Sequence, residues 1–360
     1  MRNPFTQLSG HQGFTPVTTI IALLALASLY AIPSFVESPY ALHIMILLFL
    51  STIMGEGWNI IGGYAGQYSV GHAAYFGAGA YGTLILLNMK GIPPWYGVWA
   101  GIGAAVILSL IIGNICFRLR GPYFVLASIA VAEIVRLTVL NIPSITNGAE
   151  GILLSDLPPF KIGERVITDF ISKVSFYYIG LTLAVLTILV TWLIQNSKLG
   201  YYFQAIREDQ DAAHSLGISL NFYKNVALAI SASLTSLAGA FYAIYVKFID
   251  PTTVLPLDLS VQIVLIAIIG GIGTIFGPVV GALVLVPLSE ALRSNVIAQS
   301  LINSGLVKED SGMGVFLKEH LAHAHVLIYG ILVVVVILFM PDGVLGFFKK
   351  ITARRDRGDV

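Results

Sequence analysis

The chain has 360 residues, of which 56% are hydrophobic and only 11% charged, and its formal net charge is +1. A soluble domain carries about 25% charged residues, so this composition excludes an ordinary water-soluble fold and predicts a membrane protein. The near-neutral charge argues against a nucleic-acid partner, and the single cysteine, Cys116, excludes an intrachain disulfide and argues against a thiolate metal cluster.

Apolar stretches of about 20 residues are long enough to cross a bilayer as helices. We predict an all-α polytopic membrane protein with about ten transmembrane helices, and no fewer than eight. The candidate spans are residues 17–36, 41–61, 73–89, 96–116, 122–141, 176–195, 225–246, 260–276, 278–293 and 326–341. The third, eighth and ninth are short and rich in glycine, and we expect them to include broken or re-entrant segments.

Residues 17–341 would form one transmembrane domain, between an N-terminal segment 1–16 and a basic tail 342–360. Ile20–Ser28 has the composition of a signal peptide, but the apolar run continues past it, which favours a retained span. The tail carries five basic residues and is predicted to be cytoplasmic. Counting back through the spans places loop 196–224 and the N-terminus inside, and loops 142–175 and 294–325 outside.

The stretch Gly62–Gly82 combines seven glycines with polar side chains in an apolar context. Glycines at small-residue spacing let helices approach closely, which is one interpretation. The other is a broken segment that lines a substrate pathway, because polar groups in a membrane need water, substrate or protein partners. The candidate pathway residues are Tyr64, Gln67, Ser69 and His72. Ile60–Gly63 is echoed by Ile268–Gly271, and paired glycine-interrupted segments indicate a transport pathway, although four matching residues also occur by chance.

Charged residues inside the spans need partners. Glu133 and Arg136 lie three residues apart, on one helix face, and we predict an ion pair that faces the bundle interior. A direct role in the substrate path and snorkelling near the outer membrane surface are the alternatives. Glu56 is predicted to be a helix-end carboxylate near the cytoplasmic headgroups.

Two polar segments have weaker signals. His320, His323 and His325 raise the question of a metal site, because the first two can lie on one helix face. A wetted segment before the last span is the favoured interpretation, so we predict no metal site and no cofactor. Glu164–Lys173, in the predicted outer loop, is expected to form a short surface helix. It offers basic groups to an external partner, and a merely solvated loop is an equal alternative.

The loop 196–224 is the most charged internal stretch on the predicted cytoplasmic side. Residues 203–216 are predicted to form one helix with an apolar stripe of Phe203, Ile206, Ala213 and Leu216, ending at Gly217. Because the segment has more acids than bases, an anionic leaflet would repel it. A groove in a partner protein is therefore favoured, with the apolar side chains as anchors.

This segment, QAIREDQDAAHSLGI, resembles the ATPase-docking segment of the branched-chain amino acid permeases of ABC importers. The family pattern is present at Ala205–Asp209, Ala212–Ala213 and Leu216–Ile218. Further blocks that resemble the family lie at Gly63–Gln67, Ser69–Ala73 and Gly77–Tyr81, and in the stretches GPYFVLASIAVAEIVRLTVLN, TNGAEGI and GGIGTIFGPVVGA. The resemblance covers most of residues 55–290, with the blocks in the family's order.

The resemblance implies a permease subunit in a bacterial inner membrane, and the charge and span count given above place both termini in the cytoplasm. It implies two cytoplasmic ATPase subunits, a second related permease, and a periplasmic binding protein that delivers leucine, isoleucine or valine. The implied docking residues are Ala205, Ile206, Arg207, Glu208, Asp209, Ala212, Ala213, Leu216 and Gly217.

The sequence contains no phosphate-binding loop of the GxxxxGK(S/T) type, so ATP hydrolysis is expected on a partner and not on this chain. The chain is therefore predicted not to be an enzyme. Two alternatives remain open. One is a permease of the same family for urea or a short amide. The other is an ion-coupled secondary transporter that uses Glu56, Glu133 or His72 as its ion site.

Overall fold

The computed structural model describes residues 24, 26–36, 38–154, 160–162, 165–168, 172–293, 330–331, 334, 338 and 343–346. Outside these residues lie segment 1–16, loop 294–325 with its three histidines, and most of span 326–341 and of tail 342–360. Within them the helices are α1 Pro39–Trp58, α2 His72–Lys90, α3 Pro94–Cys116, α4 Pro122–Leu140, α5 Pro143–Thr146, α6 Lys173–Gln195, α7 Lys198–Glu208, α8 Gln210–Ser215, α9 Leu220–Val246, α10 Pro251–Val254, α11 Leu257–Gly270 and α12 Gly277–Arg293.

Six helical segments in the described part of the chain are long and apolar enough to cross a membrane. They are Pro39–Tyr64, Pro94–Cys116, Pro122–Leu140, Lys173–Gln195, Leu220–Val246 and Pro251–Gly270. α2 and α12 are shorter or less apolar and complete the bundle. The predicted all-α polytopic membrane fold is confirmed.

Helices α1 and α9 form the middle of the bundle. In the most apolar part of each helix, 78% of the residues of α1 and 67% of those of α9 are buried, against 28% for α3 and 17% for α4. α1 and α9 are therefore surrounded by other helices, whereas most of α4 faces outward. Polar side chains on α1 and α9 thus meet groups of other helices, whereas those on the outward side of α4 do not.

The glycines of α2 allow it to pack tightly against its neighbours. Gly79 lies against the backbone carbonyl of Ser236 on α9, and Gly82 lies against Gly101 on α3. A Cβ atom on Gly82 would come within 2.6 Å of the Gly101 Cα atom, so neither helix tolerates a larger residue there without moving. Close packing thus explains part of the glycine content of Gly62–Gly82.

The expected surface helix at Glu164–Lys173 is wrong. Arg165–Thr168 forms strand β3, which pairs antiparallel with strand β2, Phe160–Ile162. The β-branched run Val166-Ile167-Thr168 favours a strand, and this preference outweighs the weak helical pattern. A second short pair joins β1, Ile152–Leu153, to β4, Phe248–Ile249, and holds this loop against the end of α9.

The single helix expected over residues 203–216 is also wrong, because the segment forms two helices, α7 and α8. Asp209 between them is extended, with φ −154° and ψ 114°, and its carboxylate accepts hydrogen bonds from the backbone N–H groups of Asp211 and Ala212. Aspartate is more favourable at the N-cap of a helix than in the helix interior, so Asp209 starts a new helix here. The predicted end is confirmed, since α8 ends at Ser215 and Gly217 has a φ of +86°.

Candidate functional site

The chain breaks between α1 and α2. After Trp58, α1 continues as a π-helical turn, Asn59–Tyr64, and residues 65–71 are irregular until α2 begins at His72. Gly66 has a φ of +67°, which only glycine adopts readily. π-Helical turns are frequent at functional sites. We call residues 59–71, which are the π-helical turn and the irregular residues after it, the α1–α2 break.

All four candidate pathway residues lie in or beside this break, and all are buried. His72 Nε2 is 2.8 Å from Ser231 Oγ on α9, and the Tyr64 hydroxyl donates to Gln195 Oε1 at 3.2 Å. The side-chain amide of Gln67 donates to a backbone carbonyl within the break, and Ser69 accepts from the Trp58 indole through its own carbonyl. Their role in a pathway stays a prediction, and in this structure all four side chains are shielded inside the protein.

Glu56 is not at a helix end, so that part of the prediction is wrong, while its depth relative to the headgroups stays a prediction. Because α1 extends by a π-helical turn to Tyr64, Glu56 lies in the helix interior with 0% of its surface exposed. Its Oε2 accepts a hydrogen bond from Thr191 Oγ1 at 2.8 Å, and its Oε1 has no hydrogen-bond partner among the described residues. In that same part of the chain, no group of three or more His, Cys, Asp or Glu side chains could hold a metal ion.

A second break lies between α11 and α12, and a single asparagine fastens it to the first. Asn59 Oδ1 accepts from the backbone N–H of Gly273 at 2.8 Å, and Asn59 Nδ2 donates to the Thr274 carbonyl at 2.9 Å. The echoed segments Ile60–Gly63 and Ile268–Gly271 therefore end two helices that meet in space. We call residues 271–276 the α11–α12 break.

The docking segment, which comprises α7, α8 and the turn at Gly217, lies directly on the α1–α2 break. Arg207 Nη1 on α7 donates to the Gly63 carbonyl at 2.8 Å. Gly66 sits so close beneath it that a Cβ atom there would be 2.6 Å from Arg207 Cγ. A movement of α7 must therefore displace the break or lose this contact.

Two further contacts hold the second half of the docking segment. Arg120, in the loop between α3 and α4, forms two hydrogen bonds of 3.0 and 3.2 Å with the Asp211 carboxylate. Lys224 on α9 is buried, donates to Gln210 Oε1 at 2.7 Å and lies over the Phe117 ring. Sequence patterns did not point to Arg120 or Lys224, because both lie outside the docking motif, 91 and 14 positions from their partners within it.

The predicted row of apolar docking anchors is largely wrong. Phe203, Ile206 and Ala213 are buried in the chain's own core, and only Leu216, 82% exposed, stays free for a partner. The stripe is apolar because it seats the docking segment on the bundle. The implied docking residues that remain exposed are Arg207, Glu208, Asp209, Ala212, Leu216 and Gly217.

Glu133 and Arg136 on α4 lie together, since Arg136 Nε donates to Glu133 Oε2 at 2.9 Å and Nη2 donates to Oε1 at 2.5 Å. The expected burial inside the bundle is wrong. The side chain of Glu133 is 45% exposed and that of Arg136 26% exposed, because they lie on the outward side of the least buried span.

Comparisons with known proteins agree with this architecture. A protein-family model described as branched-chain amino acid transport system / permease component matches residues 40–340. The "High-affinity branched-chain amino acid transport system permease protein LivM" of Escherichia coli (strain K12) is 29% identical over 309 residues, covering 80% of this chain and 71% of the relative. The LivH permease of the same system and organism is 24% identical over 307 residues, covering 82% of this chain and 90% of the relative.

A shorter match is to a permease that is named for a different transported compound. The "Autoinducer 2 import system permease protein LsrC" of Salmonella paratyphi B is 29% identical over 118 residues, which is 32% of this chain and 34% of the relative. No solved structure gave a significant match.

Proposed function

Because the chain belongs to the family of branched-chain amino acid transport system permease components, we propose that it is the membrane-spanning subunit of an ABC importer for leucine, isoleucine and valine. The two relatives that match over most of the chain are both named as permeases of such a system. One structural observation carries the mechanism: an exposed acidic segment is fastened to the α1–α2 break.

We propose the partners that the family resemblance implies. The chain has no phosphate-binding loop, so ATP would be hydrolysed by two cytoplasmic ATPase subunits. A second, related permease would complete the pathway, and a periplasmic binding protein would deliver the amino acid. We place the complex in the bacterial inner membrane, with both termini and the docking segment on the cytoplasmic side.

The docking segment suits the transfer of movement because it touches three parts of the bundle. Arg207 links α7 to the α1–α2 break, Arg120 links α8 to the loop before α4, and Lys224 links it to α9. When the ATPase subunits close, they would move α7 and α8 as one unit. Each contact would pass that movement to a different helix.

The α1–α2 break is the part that would respond. After the π-helical turn, residues 65–71 form no regular helix until α2 begins at His72. Opening it would bring Tyr64, Gln67, Ser69 and His72 to a pathway from which they are now shielded. Asn59 would carry the same movement to the α11–α12 break.

The test uses the complete importer with its ATPase and permease partners in proteoliposomes. Glu208→Lys reverses a charge on the exposed docking surface, and Gly217→Pro is incompatible with the φ of +86° found there. Both variants should remain in the membrane but lose leucine uptake driven by ATP. Glu150→Lys is the matched control, since it makes the same charge change at an exposed residue outside the docking segment and should keep uptake. Normal uptake by both docking variants would contradict the proposal.

The buried carboxylate of Glu56 keeps an ion-coupled secondary transporter as the second candidate. That protein would need no ATPase. The purified chain alone in liposomes should therefore accumulate leucine under a proton or sodium gradient if this alternative is right, and should not if the proposed function is right. Uptake of labelled urea, measured in parallel, tests the remaining alternative, which is a permease of the same family that carries urea or a short amide.

A further inference from the structure

One face of α4 is fastened to the bundle and the opposite face is not. The buried face contains Phe124, Ser128 and Ala132, and the Ser128 hydroxyl accepts a hydrogen bond from the backbone N–H of Val70 in the α1–α2 break at 2.9 Å. The residues of the opposite stripe recur at steps of four, three and four positions, and are Leu126, Ala130, Glu133 and Leu137. Glu133 thus lies at the middle of the outward face, on a helix attached to the break.

This position is deep in the membrane. At about 1.5 Å per residue, Glu133 lies roughly 16 Å from the start of a helix about 28 Å long. Charged side chains at this depth are costly when they face lipid. The outward faces of other spans at comparable depth are apolar, as at Ile107 on α3 and Leu186 on α6, which are 63% and 46% exposed and lie about 13 Å from the predicted cytoplasmic ends of their helices. The α4 face differs from them and needs water or a polar partner.

We propose that Glu133 and Arg136 form a binding site for the charged backbone of the transported amino acid, on a face of α4 that lines the translocation pathway. The inference rests on the proposed function. A free amino acid carries one ammonium and one carboxylate group. The Glu133 carboxylate suits the first, and the planar guanidinium of Arg136 binds the second through two hydrogen bonds.

The paired state explains how the site stays stable without substrate. In the empty protein the two side chains neutralise each other through two hydrogen bonds. Binding exchanges the one pair between the side chains for two pairs with the ammonium and carboxylate groups of the amino acid. The loss of the first pair offsets part of this gain, so binding remains weak enough for release. Leu126, Ala130 and Leu137 flank the pair on the same stripe and offer an apolar surface to the branched side chain.

Cysteine labelling tests whether water reaches this face. Cys116 is the only cysteine and is buried, so Cys116→Ser provides a cysteine-free background. In the assembled importer, Ala130→Cys should react with a charged, membrane-impermeant methanethiosulfonate, and leucine should slow the reaction. Leu186→Cys, on the outward face of α6 at a similar depth, is the matched control and should stay unlabelled. Absence of labelling at Ala130→Cys, or labelling that leucine does not slow, overturns the proposal.

A charge exchange separates binding from a purely structural ion pair. Glu133→Arg combined with Arg136→Glu keeps the pair but reverses its direction, so a structural role predicts a wild-type KM for leucine. The proposal predicts a KM raised roughly tenfold or more, because the reversed site turns the amino acid away from the apolar stripe. An unchanged KM overturns it. If the wild-type importer does not carry leucine, the proposed function itself fails; if it does and Ala130→Cys is unlabelled, this inference alone fails.

Discussion

Asn59 is the residue whose replacement tests the architecture of the two breaks most directly. Its side chain is fully buried and makes one hydrogen bond to the backbone N–H of Gly273 and one to the carbonyl of Thr274. Asn59→Leu keeps a similar volume and removes both bonds. The two backbone groups of the α11–α12 break then have no replacement partner from this side chain.

The cost can be estimated from these two groups. A buried polar group that loses its partner destabilises a protein by about 1–3 kcal/mol. Gly273 and Thr274 are partly exposed, so the lower part of that range applies, and the sum is about 2–4 kcal/mol. Asn59→Asp keeps the acceptor for Gly273 but replaces the amide donor with a carboxyl group. It serves to separate the effect of the acceptor from that of the donor.

Unfolding of the purified chain in detergent micelles measures the difference. Asn196→Leu is the matched control, because Asn196 is exposed and its side chain donates only to the Trp192 carbonyl of the preceding helix. We expect that control to change the free energy of unfolding by less than about 0.5 kcal/mol. If Asn59→Leu is no more destabilising than Asn196→Leu, the two breaks are not held together by this side chain and the reasoning is refuted.

Three further predictions concern packing, the pathway and the docking surface. Gly79→Leu should prevent assembly, because Gly79 touches a backbone carbonyl of α9, whereas Gly103→Leu, with open space around it, should assemble normally in the same purification. His72→Ala and Gln67→Ala should slow leucine uptake while the ATPase subunits still co-purify; equal losses of expression in both would leave packing as the sufficient explanation. Asp211→Asn should change the free energy of unfolding by less than about 1 kcal/mol, since its ion pair is exposed.

Local patterns in the sequence predicted the helical architecture and the family, because both depend on neighbouring residues. Apolar runs mark the spans, and the docking motif is contiguous from Ala205 to Ile218. The contacts that organise the site are not local. Arg207 and Gly63 are 144 positions apart, and Asn59 and Gly273 are 214 apart. Only the repeated Ile-Ile-Gly-Gly segments hinted that the two breaks belong together.

The incorrect predictions arose where two local preferences competed. The apolar stripe suggested one continuous helix through Asp209, but aspartate caps the start of a helix and divides the segment. The end of the apolar run suggested a helix end near Glu56, but the π-helical turn extends α1 to Tyr64. The outward position of Glu133 depends on how α4 packs, which no residue on α4 alone determines.

The contacts of Arg207 and Asn59 have a consequence for how movement would reach the α11–α12 break. Asn59 holds Gly273 through its side chain. Arg207 holds Gly63 and also lies beside Gly273, where a Cβ atom would be 2.7 Å from Arg207 Nη1. Movement of α7 therefore has a direct route to the second break and a route through Gly63 and Asn59, and both routes begin at Arg207. Arg207→Met with Asn59→Leu should couple leucine uptake to ATP hydrolysis no worse than Arg207→Met alone, and Asn59→Leu alone should lose less coupling. An Asn59→Leu variant that uncouples as fully as Arg207→Met would show that the direct contact carries no movement, and the two-route arrangement would be rejected.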